Sequence, residues 1–367
     1  MANNDMPKEE KSKNFKIAPL YEKLNVNFKK FGVHDEYLVI DEQMVKYFGC
    51  SSLKQFIRNK PIRFGLKNWA MCGQSGYCYH LKLYCATICG KETDFQLQVP
   101  LGSRVVHELI ESVRPSDSNI ILMDNFFCSH DLLCELRKKG LPAIGTMREN
   151  RTAKCPLADE KTLKSEGRGS KDCKFDATNK ITVVKWLDNR PVIIGANFDV
   201  DECNKTVQRW SKKCGRITLH VPPVIQTYNM GMGGVDLMDS YVNSYRISVT
   251  SKKWYWFLFT ALADITVSNA WIIFRKLNSE KMDLLTFKSN IAWSYLKLGH
   301  RSSSILTSPK IIAPTKSVRE NQGGHFLTSR FTQRRCQGSR CASKPTTYCQ
   351  KCNVTLCKNC FPVYHNM

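Results

Sequence analysis

NIILMDNFFCSHDLLCELRKKG, residues 119–140, is the stretch on which the reading of the fold turns. Its first part, NIILMDNFF, is a short apolar run with an aspartate near its end, which reads as a buried strand. Ser129-His130-Asp131 then opens an amphipathic segment with apolar residues at helical spacing, and Gly140 supplies its stop. LPAIGTM follows at once as a further core strand. Strand, capped helix and strand in direct succession predict an α/β protein.

Outward from this unit, EYLVID (36–41) is a second apolar, β-branched run ending on an aspartate. LKNWAMCGQSGYCYHLKLYCATI (66–88) has two strand-like halves around Gly73-Gln74-Ser75-Gly76, a hairpin signal. SRVVHELIES (103–112) has helical periodicity. Residues 152–222 are charged and cysteine-sprinkled, with strand-like KITVVKWL and PVIIGANF around Asp188-Asn189, and read as a β-rich insertion. Helical signal returns over 235–277 and 281–297. The expected organisation is a disordered N-terminus at 1–15 and a first core portion at 16–151. The insertion follows at 152–222, a helical second core portion at 223–300, a linker at 301–323 and a Cys-rich domain at 324–367.

The chain has 367 residues, 42% hydrophobic, with a formal net charge of +23. That charge points to a polyanionic partner, foremost nucleic acid. MANNDMPKEEKSKNFK at the start is polar and charged and shows no secretory signal. WYWFLFTALADITVSNAWIIF (254–274) is nearly long enough to span a bilayer, but Asp264, Ser268 and Asn269 interrupt it, so a buried helix and no membrane are expected. Of the 17 cysteines, eleven are scattered between Cys50 and Cys214 without regular spacing, as reduced intracellular thiols would be.

The other six lie in the last 32 residues, as Cys-x4-Cys-x7-Cys-x2-Cys-x4-Cys-x2-Cys-x4-His from Cys336 to His365. Such CxxC pairs with a terminal histidine signal zinc, which takes four thiolate or imidazole ligands in a tetrahedron. An interleaved arrangement pairs Cys336 and Cys341 with Cys357 and Cys360. Cys349, Cys352 and His365 then hold a second ion, completed by His325 or a water. With few apolar residues, this tail is expected to draw its folding free energy from two Zn²⁺ ions. Flanking Arg330, Arg334, Arg335 and Arg340 favour DNA as its partner, while interleaved zinc folds also bind proteins.

Four acids form the other candidate site. Asp41 and Asp124 end strands, and GMGGVDLMDSY (231–241) places Asp236 and Asp239 one helical turn apart after what reads as a flexible glycine hinge. Two carboxylates on one helix face repel unless a cation lies between them or both face water. Singly, each is a common capping residue. Together, carboxylates converging at one sheet edge suit two Mg²⁺ ions and phosphoryl transfer. No GxGxxG, Walker A, GxSxG or HExxH pattern offers a competing chemistry.

YLVIDEQM around Asp41, NKPIRFGLK from Asn59, ILMDNFF around Asp124, GTMRENR from Gly145 and YNMGMGGVDLMD around Asp236 resemble the piggyBac transposase family, in that family's order. The Cys-rich tail resembles that family's C-terminal zinc domain, so the likeness runs from about residue 16 to the end. The resemblance implies a ribonuclease H-like catalytic core with a β-rich insertion, plus a small C-terminal zinc-binding cross-brace domain. It implies Mg²⁺-dependent cut-and-paste transposition through nicking, hairpin formation and joining at TTAA targets. Asp41, Asp124 and Asp236 then match the metal-ligand triad and Asp239 a further acid of the same motif. The implied partners are double-stranded transposon ends bound by a homodimer, and the implied location is the nucleus. On the same reading Lys60, Arg63, Lys67, Arg148, Arg151, Lys252 and Lys253 are phosphate-backbone candidates, as Arg334 and Arg335 are in the tail.

Only 40 residues precede Asp41, against a long N-terminal portion in the family, so the chain is expected to be N-terminally truncated. Three readings stay open on the sequence: an active transposase, a transposase-derived nuclear DNA-binding protein that no longer transposes, and a zinc tail that serves protein interaction.

Overall fold

A computed structural model describes residues 13–58, 60–85, 99–114, 118–200, 205–212, 214–246, 249–278, 281–302, 319 and 324–366. The chain divides into two compact units, one up to Ser289 and one from Asn290. Most of the N-terminus read as disordered and nearly all of the expected linker lie outside the described residues.

Helix α1 (Ala18–Phe31) precedes strand β1 (Tyr37–Lys46), the short β2 (Lys54–Phe56) and the hairpin of β3 (Phe64–Gly73) and β4 (Cys78–Leu83). Then come α2 (Leu101–Leu109), β5 (Ile120–Met123), α3 (His130–Lys138) and β6 (Ala143–Met147). The strand–helix–strand reading of 119–147 is met at each step. Ser129 Oγ caps α3 by accepting from Leu132 N, and Gly140 follows its end at φ 71°.

Among the described residues the main sheet has nine strands, ordered β2-β3-β1-β5-β6-β9-β8-β7, with β4 also on β3. Strand β1 is antiparallel to β3 but parallel to β5, and β5 is parallel to β6. Parallel neighbours need a crossover, and α3 supplies it between β5 and β6.

The insertion is β-rich, but most of it extends the main sheet. After α4 (Glu160–Glu166) come β7 (Lys171–Asp176), β8 (Ile181–Leu187) and β9 (Pro191–Ala196), and β9 pairs antiparallel with β6. Only β10 (Lys205–Ser211) and β11 (Gly215–Val221) form a separate ribbon. Helices α5 (Pro223–Gly231), α6 (Gly234–Ser244), α7 (Trp254–Leu277) and α8 (Leu284–Ser302) follow.

Both faces of the central strands are covered, which explains their nearly continuous apolar runs. Val39 and Val45 of β1 join one core with side chains of α1, α5, α6 and α7, while Leu38 and Ile40 join another with α2 and α3. Helix α7 is long and apolar enough to cross a membrane by length and composition alone. Here its Leu258, Ala261, Leu262 and Ile265 are buried in the first core. Its polar residues have partners: Asn269 accepts from Cys78 N and donates to Cys78 O, both at 2.8 Å, and Asp264 pairs with Lys288. Trp271 is buried, as expected; Trp254 and Trp256 are half-buried, with Trp256 stacked on Phe259.

The second unit contains β12 (Leu327–Ser329), antiparallel to β13 (Thr347–Cys349), and the short helix α9 (Cys360–His365). Its fully buried apolar content is small: Cys336, Cys349, Val354 and Leu356.

Candidate active site and metal centres

The acids meet through strand register. Ile40 of β1 pairs with Met123 of β5 in parallel, so Asp41 and Asp124 occupy the next positions along neighbouring chains. Helix α6 packs on β1 and β3 and brings Asp236 and Asp239 to the same side. The GMGG segment is a tight junction here, where a flexible hinge was expected. Gly233 sits at φ 110° as the N-cap of α6, a backbone state that favours glycine. A Cβ on Gly234 would stand 2.3 Å from the Gly73 carbonyl oxygen, so the helix start lies directly on the hairpin end of β3.

Asp41 Oδ1 accepts from Glu42 N at 2.7 Å, and Asp124 Oδ1 accepts from Phe126 N at 2.9 Å. Burial pushes the Asp41 carboxyl up to about 7, against the pull of Lys60, with Asp124 adding to the rise. Burial also raises Asp124, opposed by the Phe126 N–H. Asp239 is pushed up to about 6 by burial, opposed by its Gln43 hydrogen bond and reinforced by Asp236. Asp236 is exposed. Carboxylates held so far above their ordinary range favour a proton or a cation.

Lys60 and Glu42 complete the cluster. Lys60 Nζ lies 4.0 Å from Asp41 Oδ1 and 3.7 Å from Glu42 Oε1. Its own burial works to lower the Lys60 ammonium, but Asp41, Glu42, Asp236 and Asp124 prevail and raise it. Lys60, predicted to meet phosphate, therefore sits among the acids. Among the described residues no three of these acids bring oxygens within 4.8 Å of one another. By donor chemistry the set fits hard divalent cations such as Mg²⁺, with Asp41, Asp124 and Asp236 as the candidate ligands.

Lys67 is also held inside. Its ammonium pairs with Glu42 Oε2 at 3.4 Å and stands over Trp69 (3.8 Å), Phe126 (5.2 Å) and Tyr84 (5.7 Å). Arg148 Nε donates to Asn125 Oδ1 at 3.3 Å, and Arg151 donates to the Asn125 and Phe126 carbonyls. Both arginines thus brace the loop after Asp124. Arg63, Lys252 and Lys253 are exposed. Lys252 lines a cleft of about 740 Å³ with Lys46, Phe48, Arg246 and Phe257. Sequence reasoning passed over Glu42, Gln43, Lys46 and Arg246, which lie outside any spacing pattern; Glu42 and Gln43 stand next to a flagged aspartate.

In the second unit eight Cys and His residues form two sets, His325, Cys349, Cys352 and His365, and Cys336, Cys341, Cys357 and Cys360. Within each set the ligand atoms lie within 4.8 Å of one another. His325 Nδ1 is 3.4 Å from Cys349 Sγ and 3.5 Å from Cys352 Sγ. His365 Nδ1 donates to the Arg319 carbonyl at 3.0 Å, leaving the buried Nε2 as a bare lone pair. This is how a metal-ligating imidazole is oriented by its other nitrogen. Backbone N–H groups of Cys357 and Gly338 point at Cys336 Sγ at 3.3 and 3.5 Å. The donor sets and this orientation fit Zn²⁺. Arg334 and Arg335 are exposed beside them.

The profile of the family described as Transposase IS4 matches residues 1–271. The fold and the match together define a transposase-type chain. The human PiggyBac transposable element-derived protein 3 is 31% identical over 355 residues, covering 95% of this chain and 58% of its own length. The human PiggyBac transposable element-derived protein 2 is 30% identical over 361 residues, covering 95% and 59%. The cryo-EM structure of a piggyBac transposase synaptic complex with hairpin DNA matches at TM-score 0.65 and 21% identity, covering 96% of this chain and 75% of that one. At that identity the likeness speaks for the fold. This chain belongs to the piggyBac transposase family, and it spans somewhat more than half the length of the two curated relatives.

Proposed function

We propose that the chain is the catalytic and end-recognition part of a piggyBac-type DNA transposase that cleaves and joins DNA at TTAA targets. The observation that carries this is the β1–β5 register, which sets Asp41 beside Asp124 with α6 supplying Asp236 and Asp239. The order β4-β3-β1-β5-β6, with β5 and β6 parallel to β1, supports a ribonuclease H-like core. Asp41, Asp124 and Asp236 would hold two Mg²⁺ ions, which neutralise charge on the attacking and leaving oxygens of an in-line displacement. The chain's own groups do the positioning. Lys60 balances charge among the acids, Arg148 and Arg151 fix the loop after Asp124, and Lys67 holds Glu42 in place. Arg246, Lys252 and Lys46 line a cleft suited to a phosphate backbone. The Cys-rich unit, with two Zn²⁺ ions, would grip transposon ends, and the working form would be a homodimer on DNA in the nucleus.

Purified protein supplied with Mg²⁺ or Mn²⁺ should nick a piggyBac-type terminal-repeat duplex, and Asp124→Asn should abolish nicking while leaving DNA affinity intact. Absence of nicking with both metals loaded would defeat the catalytic reading. A second reading is favoured by the names of the two human relatives, both "transposable element-derived". In it the chain is a nuclear DNA-binding protein in which the acids persist without turnover. Tight, salt-sensitive binding to end sequences without cleavage, indifferent to Asp124→Asn, would establish it.

A further inference from the structure

A one-way chain of buried hydrogen bonds ends on Asp239. The Tyr21 hydroxyl donates to Asn68 Oδ1 at 2.7 Å, Asn68 Nδ2 donates to Gln43 Oε1 at 3.0 Å, and Gln43 Nε2 donates to Asp239 Oδ1 at 2.8 Å. The four residues come from α1, β3, β1 and α6, so the chain forms only when these two strands and two helices are packed together. Gln43 lies two residues after Asp41 and so shares its sheet face, and Asn68 stands directly across from it in the β1–β3 ladder.

The surroundings make two amides unexpected. Gln43 and Asn68 are each 1% exposed, on a face where their neighbours, Asp41 apart, are Val39, Val45, Leu66, Ala70 and Cys72. Replacing a satisfied polar pair by apolar side chains of the same shape is close to neutral for stability. The amides therefore offer the fold little that leucines would not. What they add is direction. An ionised carboxylate only accepts, so the Gln43 NH₂ must face Asp239, its oxygen must face Asn68, and the order runs back to the Tyr21 hydroxyl. Hydrogen bonds aligned head to tail polarise one another and hold the terminal acceptor firmly.

We propose that Gln43, backed by Asn68 and Tyr21, is a positioning residue that holds Asp239 in one orientation beside Asp41, Asp124 and Asp236. The proposal rests on the reading of these acids as a metal-dependent phosphoryl-transfer site. It makes Asp239 a fixed auxiliary charge whose aim is set along one face of the sheet, from as far back as α1.

The test uses the full chain with Gln43→Leu, which keeps volume and removes the amide, and Tyr21→Phe, which removes only the hydroxyl. Each is compared with Asp239→Asn and with the corresponding double variant. Thermal melting, equilibrium Mn²⁺ affinity and the Mg²⁺-dependent nicking rate are measured. Gln43→Leu strands the buried Asn68 amide and should melt below the parent; beyond that it should lose about 10- to 100-fold in Mn²⁺ affinity and kcat, with KM for DNA unchanged. Tyr21→Phe should shift both the same way by a few-fold. In the Asp239→Asn background neither change should cost more, because both act through Asp239. Parental Mn²⁺ affinity and kcat in Gln43→Leu, or an undiminished loss in the Asp239→Asn background, would overturn the proposal. A parent chain that neither binds Mn²⁺ nor nicks DNA would instead remove the acid-site reading itself, and the positioning role with it.

Discussion

The sheet and the Cys-rich tail each gather side chains that could hold a metal ion, and they do so in opposite ways. In the tail, two sets of four possible ligand atoms lie within 4.8 Å of one another, with only four buried apolar residues among those described. In the sheet, the acids stand around Lys60 and are backed by two extensive apolar cores. A structural ion and a working ion ask different things of a fold. The tail has little apolar core to hold it together, whereas the sheet is held by burial and, on the proposed function, keeps its acids apart for an exchangeable cation.

The largest expected effect breaks this comparison most openly. Removing zinc with a chelator, or changing Cys349→Ser, should unfold the tail, at a cost of about 10 kcal/mol or more per ion. The sheet unit should keep its thermal transition, and metal analysis should find two zinc ions per chain in the parent. Simultaneous loss of both transitions would show that the two regions are not held independently.

A smaller effect probes burial in the sheet unit. Asn269→Ala strands both the Cys78 N–H and its carbonyl in the core and should cost about 2–4 kcal/mol by denaturant unfolding. An effect below about 1 kcal/mol, the net worth of one ordinary hydrogen bond, would mean that α7 is held by apolar contact alone.

The smallest is a pH effect. Burial would raise the Asp35 carboxyl, but Lys276 at 2.6 Å and the hydroxyl and N–H of Ser75 bring it below its ordinary value. A carboxyl lowered in the folded state contributes fully above its unfolded pKa of about 3.9 and loses that contribution as pH falls through the folded value. The melting advantage of the parent over Asp35→Asn should therefore be constant near neutrality and fade below about pH 4. An advantage unchanged down to strongly acidic pH would contradict the ion pair.

Much of the fold was legible because burial on both faces writes itself as apolar runs. YLVID, IILM and AIGTM are strands, and Ser129 and Gly140 bound α3 as read. Helix α1 was missed because only Tyr21 and Phe28 of it are buried, and Asn25 and Val26 blur its period. Strands β10 and β11 were missed because KTVQRWS and GRITLHV are short and mostly polar, and their one large aromatic, Trp210, is exposed. The two Cys/His sets follow the sequence spacing because short CxxC knuckles define them locally. The acid site is a product of long-range register. Asp41, Asp124 and Asp236 carried enough local signal to be singled out. The place of Lys60 among them, the Lys67 cage of Trp69, Tyr84 and Phe126, and the Tyr21–Asn68–Gln43 chain exist only once distant strands pair.

The central claim is that Asp41, Asp124 and Asp236 together form the site at which exchangeable divalent cations bind on the sheet. Iron-mediated hydroxyl-radical cleavage tests it directly, since Fe²⁺ with peroxide cuts backbone next to where the ion binds. The account predicts cuts at the ends of β1 and β5 and at the start of α6, suppressed together by excess Mg²⁺ and by Asp124→Asn. Cuts confined elsewhere, or cuts at these three places that neither Mg²⁺ nor Asp124→Asn diminishes, would contradict it.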